Sequence, residues 1–570
     1  MIPRPRARLV ALLAVMVLGF TGIAGRLAVL ATRDRATLVR MGLDQRLRTV
    51  SLSAERGEIL DRNRDPLAVS VQGRDVYVDP RFVSDPAAEA RRLASALGTS
   101  AAPLERELRT EGSFVYVARE LSLKRARAIN AMHLPGVGLL PSTRRFYPGG
   151  SVASQVLGFV GTDGSGLSGL ETEYDRTLSG VPGERTTEVG QDGTPILTGL
   201  TSVHPPQPGA DLVTTIDRDL QYFAQSQLEQ AVKANHARGG AIVVMDPRTG
   251  DVLAMANYPW FDPNRFASFG EARYRNRVVT DSFEPGSVNK VITATAAVQE
   301  HAFALDHRFT VPDHLGVDGY TIHDSHPHPA ERMTLADIIA QSSNVGAVKV
   351  ADILGARTLS AYLTRFGFGR PTGLGFPGES GGIVPALSDW SRASLATIAY
   401  GQGVAATPLQ MASVYATIAS GGISVTPRLV EGTVDARGAF HPAPPSARKR
   451  VISESTARTV SEMLAYVVQK GTGIAAQIPG YQVAGKTGTA LKPDPRTGGY
   501  SQNYVASFIG FLPASQPKVV VAAIIDEPTT VYGGVAAAPL FQRVARYSIQ
   551  RLGIPAAVDI GLPPHAFSTR

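Results

Sequence analysis

The stretch Glu284-Pro285-Gly286-Ser287-Val288-Asn289-Lys290 sets a serine and a lysine three residues apart, directly after a turn. Val288 to Val298 follows as a largely apolar run with no Gly or Pro to break it. That pattern predicts a helix start. Ser287 then lies at the helix N-terminus, where the dipole favours developing negative charge. Lys290 is one turn further on, on the same face. A serine hydroxyl is a weak nucleophile and needs an adjacent base, which this spacing can supply.

Two further stretches follow in order. Ser342-Ser343-Asn344 falls between two helical patterns, Leu335 to Ala340 and Val345 to Leu354, where a loop can carry polar groups into a cleft. Lys486-Thr487-Gly488-Thr489 follows Val483-Ala484-Gly485, small residues that suit a strand approached closely by a ligand. Taken singly these are a polar turn and a Gly-rich turn. S-x-x-K alone is also weak, since Ser446–Lys449 and Ser515–Lys518 match it. Ser446 sits in a Pro-rich basic stretch that reads as an exposed loop. Pro517 disfavours a helical Gln516, so Lys518 is not expected to fold back one turn. The three motifs in order single out Ser287.

The chain has 570 residues, 44% of them hydrophobic and 19% charged, ample for a large core in one to three domains. It has no cysteine, which excludes disulfides, thiol catalysis and Cys-ligated metal. Net charge is +8, a generally basic surface that could also attract anionic lipids or wall polymers. No basic–aromatic pattern for nucleic acid stands out.

Leu9 to Gly25 is uncharged and largely apolar, preceded by Arg4, Arg6 and Arg8. Such a run spans roughly 25 Å as a helix, marginal against a bilayer core of about 30 Å. Arg26 could snorkel and let the helix continue to Ala31. An uncleaved anchor is expected; the alternative is a cleaved leader with Gly22 and Ala24 at its small-residue site. Long domains translocate largely regardless of charge, so residues 1–8 are expected in the cytoplasm and the rest outside. The expected layout is a tail 1–8, an anchor 9–31, a stalk 32–49, a β-rich pedestal 50–205, a catalytic domain 206–552 and a tail 553–570.

In the pedestal, Asp75–Asp79 alternates as a strand does, and Pro86–Leu97 and Leu123–Met132 read as helices. The span Gly180–Pro208, rich in Gly, Thr and Pro, reads as a domain boundary. Further on, Ala241–Met245 and Val252–Ala256 flank a hairpin signal, and Tyr504–Phe511 and Val519–Ile525 read as late strands. Helices between two groups of strands predict an α/β fold of the α+β kind, one antiparallel sheet with helices packed on it.

With these motifs the chain resembles the class B penicillin-binding proteins, the peptidoglycan D,D-transpeptidases. Arg56-Gly57-Glu58-Ile59-Leu60-Asp61-Arg62-Asn63 is similar to a pedestal motif of that family, with Arg64 where Gly is usual. Arg144–Gly150, Gly169-Leu170-Glu171 with Tyr174-Asp175, Tyr400–Gly403 and Thr407–Gln410 are also family-like. The Arg-Arg-x-Tyr-Pro stretch looks most like the septal branch; the elongation branch is the alternative. The resemblance implies a penicillin-binding, serine β-lactamase-like catalytic domain, no cofactor and no metal. It implies that Ser287 attacks a D-Ala-D-Ala stem peptide, with Lys290 as base and Ser342 as proton relay. Burial and the nearby Lys486 would both lower the Lys290 pKa. Asn344 would bind the substrate amide, and Lys486, Thr487 and Thr489 the terminal carboxylate, on a strand that Gly488 keeps open. Backbone N–H groups of Ser287 and Thr489 would form an oxyanion hole. Implied partners are stem peptides, covalent β-lactams, the cytoplasmic membrane, a SEDS-type membrane glycosyltransferase and other divisome proteins. The pedestal, with Arg56–Asp61 on its surface, would contact partners.

Other readings compete, the first being a hydrolase of the same fold: a β-lactamase, a carboxypeptidase or a β-lactam sensor. A class A β-lactamase needs a glutamate in an E-x-x-L-N loop, which does not occur here. A division scaffold is compatible with a transpeptidase. His323, Asp324, His326 and His328 read as a cleft-lining loop, with a metal site as the sharper alternative. Glu284 reads as a turn and charge residue rather than a catalytic one.

Overall fold

The computed structural model describes residues 5–32, 39–42, 46–112, 114–190, 196, 198–494, 496–530 and 532–557. They fall into two compact units, Met1–Glu55 with Gly180–Pro208, and Arg56–Ser179 with Gly209–Arg570.

In the first unit Pro5–Thr32 is one helix that runs on through Arg26, and Arg6–Thr32 is apolar and long enough to cross a membrane. The expected stalk lies largely outside the described residues. Its end starts a strand, Leu47–Leu52, that pairs antiparallel with Gly183–Glu188, which in turn pairs with Thr201–His204. The span read as a boundary therefore supplies two strands. Its Thr residues suit a strand, which the Gly and Pro content obscured.

The second unit is built on a five-stranded antiparallel sheet in the order Val252–Tyr258, Gly239–Met245, Val519–Asp526, Gly499–Leu512, Ala484–Asp494. The expected hairpin is its edge, with Val252 opposite Met245 and Ala256 opposite Ile242. Both faces are covered. Along Val519–Asp526, Val520, Ala522 and Ile524 face one core, with the helices Lys290–Gln299, Pro408–Ala419 and Glu454–Lys470. Val519, Val521, Ala523 and Ile525 face the other, against Arg218–Ala234 and Ala538–Leu552. The period-two alternation of side chains thus serves two hydrophobic layers, so the strand reads as continuously apolar.

The pedestal residues of this unit form a mixed sheet that continues into the catalytic half. Ile59–Leu60 pairs parallel with Asp211–Thr214, which pairs with Val430–Val434. Pro66–Val78 extends it, with Val115–Ser122 and Val137–Phe146 as partners. Three helices pack there around Leu93, Leu108 and Ile129. Pro86–Leu97 is capped by Asp85, whose side chain accepts from Ala88 N–H, and starts on Pro86. Ile59, Leu67, Tyr147 and Leu170 join the same core as Val243 and Ile292, so pedestal and catalytic half share one interior.

The three pedestal motifs converge on one carboxylate. Glu171 is fully buried; it takes Arg56 Nε on one oxygen (2.7 Å), and Arg145 Nε (2.7 Å) and Tyr147 Oη (3.2 Å) on the other. Arg56 also reaches Asp175 at 2.7 Å. Asp61, likewise fully buried, accepts from the N–H groups of Asn63, Asp65 and Arg218. Arg56 is 7% exposed. The expected Arg56–Asp61 surface is therefore interior: Arg56 is spent on Glu171 and Asp175, and Asp61 on backbone N–H groups that include the Arg218 helix start. Arg64 holds φ = +71°, the left-handed region that Gly enters freely, and its guanidinium lies 4.5 Å from the Phe440 ring centre.

Of the expected C-terminal tail, residues 558–570 lie outside the described residues. Ile554 is buried, and its carbonyl accepts from Tyr481 Oη at 2.8 Å.

Candidate active site

Ser287 sits in a single tight turn, Gly286–Asn289, that leads into the helix Lys290–Gln299. Every residue from Lys290 to Val298 is buried, so the helix is a core element and its first residue is fixed in place. Gly286 has φ = +55°, and a Cβ there would lie 2.8 Å from the Thr489 carbonyl oxygen. Gly401 has φ = +90°, and a Cβ there would lie 2.2 Å from the Gly286 carbonyl oxygen. Gly286 N–H also bonds the Gly401 carbonyl. The Tyr400–Gly403 motif thus backs the serine turn and presses it against the strand Ala484–Asp494. Glu284 half-buries its carboxylate under this turn, accepting from Gly403 N–H (2.9 Å) and from Tyr500 Oη (3.0 Å). Burial raises its pKa, and those two donors pull it back.

Ser342 stands between the helices Leu335–Gln341 and Asn344–Arg365, which leave only a two-residue link. It holds φ = +63°, a left-handed conformation costly for a residue with a Cβ. That link turns the Ser342 carbonyl and hydroxyl, and the Asn344 side chain, toward Lys290.

The Lys290 ammonium is the hub. Its Nζ lies 3.0 Å from Ser287 Oγ, 2.7 Å from Asn344 Oδ1, 3.3 Å from Ser342 Oγ and 2.5 Å from the Ser342 carbonyl oxygen. Lys486, on the neighbouring strand, bonds Thr487 Oγ1 and the Thr487 carbonyl, both at 3.2 Å. Both lysines are fully buried, and neither is ion-paired to a carboxylate among the described residues. Burial penalises the charged form, so the Lys290 pKa falls from its ordinary 10.5 to about 7, with Asp324 opposing the fall. Lys486 is lowered as well, by burial and then by repulsion from Lys290. The expected cation–cation repulsion therefore falls on Lys486, because Asp324 favours keeping the charge on Lys290.

Thr487 Oγ1 lies 2.7 Å from Thr472 Oγ1, and Thr489 Oγ1 accepts from Gly533 N–H at 3.1 Å. Ser287, Lys290, Ser342, Asn344, Lys486, Thr487, Gly488 and Thr489 thus line one locus. The decoys do not fold this way: Lys449 is in an extended strand, Arg448–Arg450, and Ser515–Lys518 is the turn before Val519. Sequence reasoning missed Asp324, Tyr500, Thr472 and Gly533. None has a fixed spacing from a motif, although Tyr500 faces Glu284 from a strand that the late-strand reading began only at Tyr504. Among the described residues no group of three His, Asp or Glu side chains could hold a metal ion.

Known proteins resemble this chain over most of its length. A family model described as the penicillin binding protein transpeptidase domain matches residues 240–546, and one described as the penicillin-binding protein dimerisation domain matches 51–214. The penicillin-binding protein PbpB of Mycobacterium tuberculosis is 36% identical over 542 residues, covering 90% of this chain and 80% of that protein. The peptidoglycan D,D-transpeptidase FtsI of Escherichia coli K12 is 35% identical over 566 residues, covering 97% and 93%. The crystal structure of penicillin binding protein 3 from Mycobacterium tuberculosis, complexed with aztreonam, matches with a TM-score of 0.72 at 32% identity, over 91% of this chain and all of that one. A serine within hydrogen-bond reach of a fully buried lysine, a second buried lysine on the facing strand and this likeness over nearly the whole length lead to one conclusion: the chain belongs to the class B penicillin-binding proteins, the peptidoglycan D,D-transpeptidases that work by serine acyl transfer.

Proposed function

We propose that Ser287 is the acylated residue, Lys290 its base, Ser342 the proton relay and Lys486 the carboxylate anchor. The observation that carries this is Lys290 Nζ at 3.0 Å from Ser287 Oγ, fully buried, with a pKa near neutrality. In the empty site Asp324 favours a charge on Lys290 and Lys486 bears the repulsion. A substrate carboxylate arriving at Lys486, Thr487 and Thr489 reverses that order. It restores the charge on Lys486, and the repulsion then discharges Lys290. The neutral amine takes the Ser287 proton as Oγ bonds the penultimate carbonyl carbon. Backbone N–H groups of Ser287 and Thr489 hold the developing oxyanion. The proton passes through Ser342 to the leaving nitrogen, the C–N bond breaks, and D-Ala departs. The amine of a second stem then attacks the ester and frees Ser287. A β-lactam follows the first half, but its leaving nitrogen stays tethered.

Fluorescent penicillin tests the nucleophile. Labelling should vanish in Ser287→Ala and persist in Ser446→Ala and Ser515→Ala; labelled Ser287→Ala would overturn the assignment. Lys486→Ala should weaken reaction with carboxylate-bearing analogues far more than with analogues that lack it.

At the cellular level the reading is a septal enzyme, with residues 1–8 in the cytoplasm, one uncleaved anchor, the pedestal 50–205 and the catalytic domain 206–552 outside the membrane. Support comes from the apolar helix Arg6–Thr32 and from the Arg144-Arg145-Phe146-Tyr147-Pro148 stretch. A SEDS-type glycosyltransferase is the proposed partner that supplies nascent glycan. A functional fluorescent fusion should gather at the division site; even labelling of the side wall would favour elongation instead. Mass spectrometry of the mature N-terminus tests the anchor, since a chain that starts near Gly25 would show cleavage.

A further inference from the structure

The loop after the strand Tyr320–His323 carries one carboxylate that the chemistry above uses only through its charge. Asp324 is buried, its side chain 6% exposed. Oδ1 accepts from the N–H groups of Asn344 (2.5 Å) and Val345 (3.0 Å), and Oδ2 accepts from Ser343 Oγ at 2.6 Å. His328 Nε2 lies 3.2 Å from Oδ2, and His328 Nδ1 lies 2.7 Å from the Pro329 carbonyl. The same loop holds Asn344 a second time, because Asn344 Nδ2 donates to the His323 carbonyl at 2.9 Å. Burial works against a charge on His328, but the Pro329 carbonyl and the Asp324 carboxylate outweigh it and raise its pKa.

Two residues of the second motif, Ser343 and Asn344, and Val345 at the start of its helix therefore hang on one side chain that lies outside the motif. Two of the helix N–H groups that would otherwise lack partners end on it. The link it braces contains Ser342, whose left-handed backbone is not self-supporting.

We propose that Asp324, steadied by His328, is a positioning residue for acylation: it clamps Ser343, Asn344 and Val345 so that Ser342 and Asn344 meet Lys290. This rests on the assignment of Lys290 as base. The charged groups that face Lys290 are Asp324 from this loop and Lys486 from the facing strand; its direct hydrogen-bond partners are neutral.

The test uses the full chain and benzylpenicillin, with the saturating acylation rate measured apart from the binding constant across pH 5 to 9. Asp324→Asn keeps the shape but cannot accept from both N–H groups and Ser343 at once. Its saturating rate should fall by ~10- to 100-fold with little change in binding, as a misplaced catalytic group does. Its acid limb should also move to lower pH, since Lys290 loses the carboxylate that favours its charge. His328→Gln, which keeps a donor to Asp324, should show the rate loss in weaker form. Asp324→Asn with wild-type rate and profile overturns the proposal. So does a rate loss that tracks melting temperature with the acid limb unmoved, which would mark a purely structural role. A wild-type profile with no acid limb near neutrality would instead sink the Lys290 assignment beneath it.

Discussion

Glu171 in the pedestal and Lys290 in the cleft are both fully buried, yet one is ringed by opposite charge and the other by neutral oxygens. Around Glu171, two guanidiniums and a phenol hydroxyl meet the carboxylate, and three distant motifs are thereby tied together. Around Lys290 there are hydroxyls, an amide oxygen and a carbonyl, and the nearest cation, Lys486, is equally unpaired. Neutralised burial locks a fold; unneutralised burial destabilises a charge and makes a lysine basic near neutral pH. The first cluster is architecture, the second stored reactivity.

The contrast can be broken from either side. Lys290→Met should cut acylation by ~10²–10⁴-fold, the usual worth of a positioned base. It should leave melting temperature unchanged or higher. The unfolded chain holds the Lys290 proton up to about 10.5, the folded chain only to about 7, so its burial opposes folding at neutral pH. That penalty fades as pH rises through the window, and the stabilisation by Lys290→Met should fade with it. A melting temperature that collapses in Lys290→Met would end the comparison. Glu171→Gln should do the reverse. It leaves the buried Arg145 without a carboxylate and Arg56 with Asp175 alone, and should cost about 3–5 kcal/mol in denaturant unfolding. The fraction that remains folded should still be acylated by penicillin, so folded but inert Glu171→Gln protein would draw the pedestal into the chemistry. Arg64→Gly should be nearly silent. Relief of the left-handed backbone, worth about 1 kcal/mol, offsets loss of the contact with Phe440, worth about 0.5–1 kcal/mol. A large change in either direction would show that Arg64 has another partner.

The parts of the chain that were readable are those whose signals are local. Ser287 and Lys290 share one helical turn, Val252–Ala256 pairs within a short hairpin, and Pro86–Leu97 carries its own cap. What stayed hidden depends on distant segments. Glu171 reads only as part of a family-like motif until Arg56, from a loop, and Arg145, from the strand Val137–Phe146, meet it. Asp324 looked like part of a histidine-rich loop, and only the fold brings it under Asn344. The span Gly180–Pro208 reads as a linker because its strands are short and exposed, with no hydrophobic alternation to mark them.

The most direct measurement is the rate of acylation of the wild-type chain by benzylpenicillin from pH 5 to 9, with Ser287→Ala as the blank. Lys290 as a buried base with a pKa of about 7 requires a rate that is low in acid and climbs through neutrality to a plateau. A rate that is flat across that range, or a midpoint in the ordinary carboxylate range, would contradict the account.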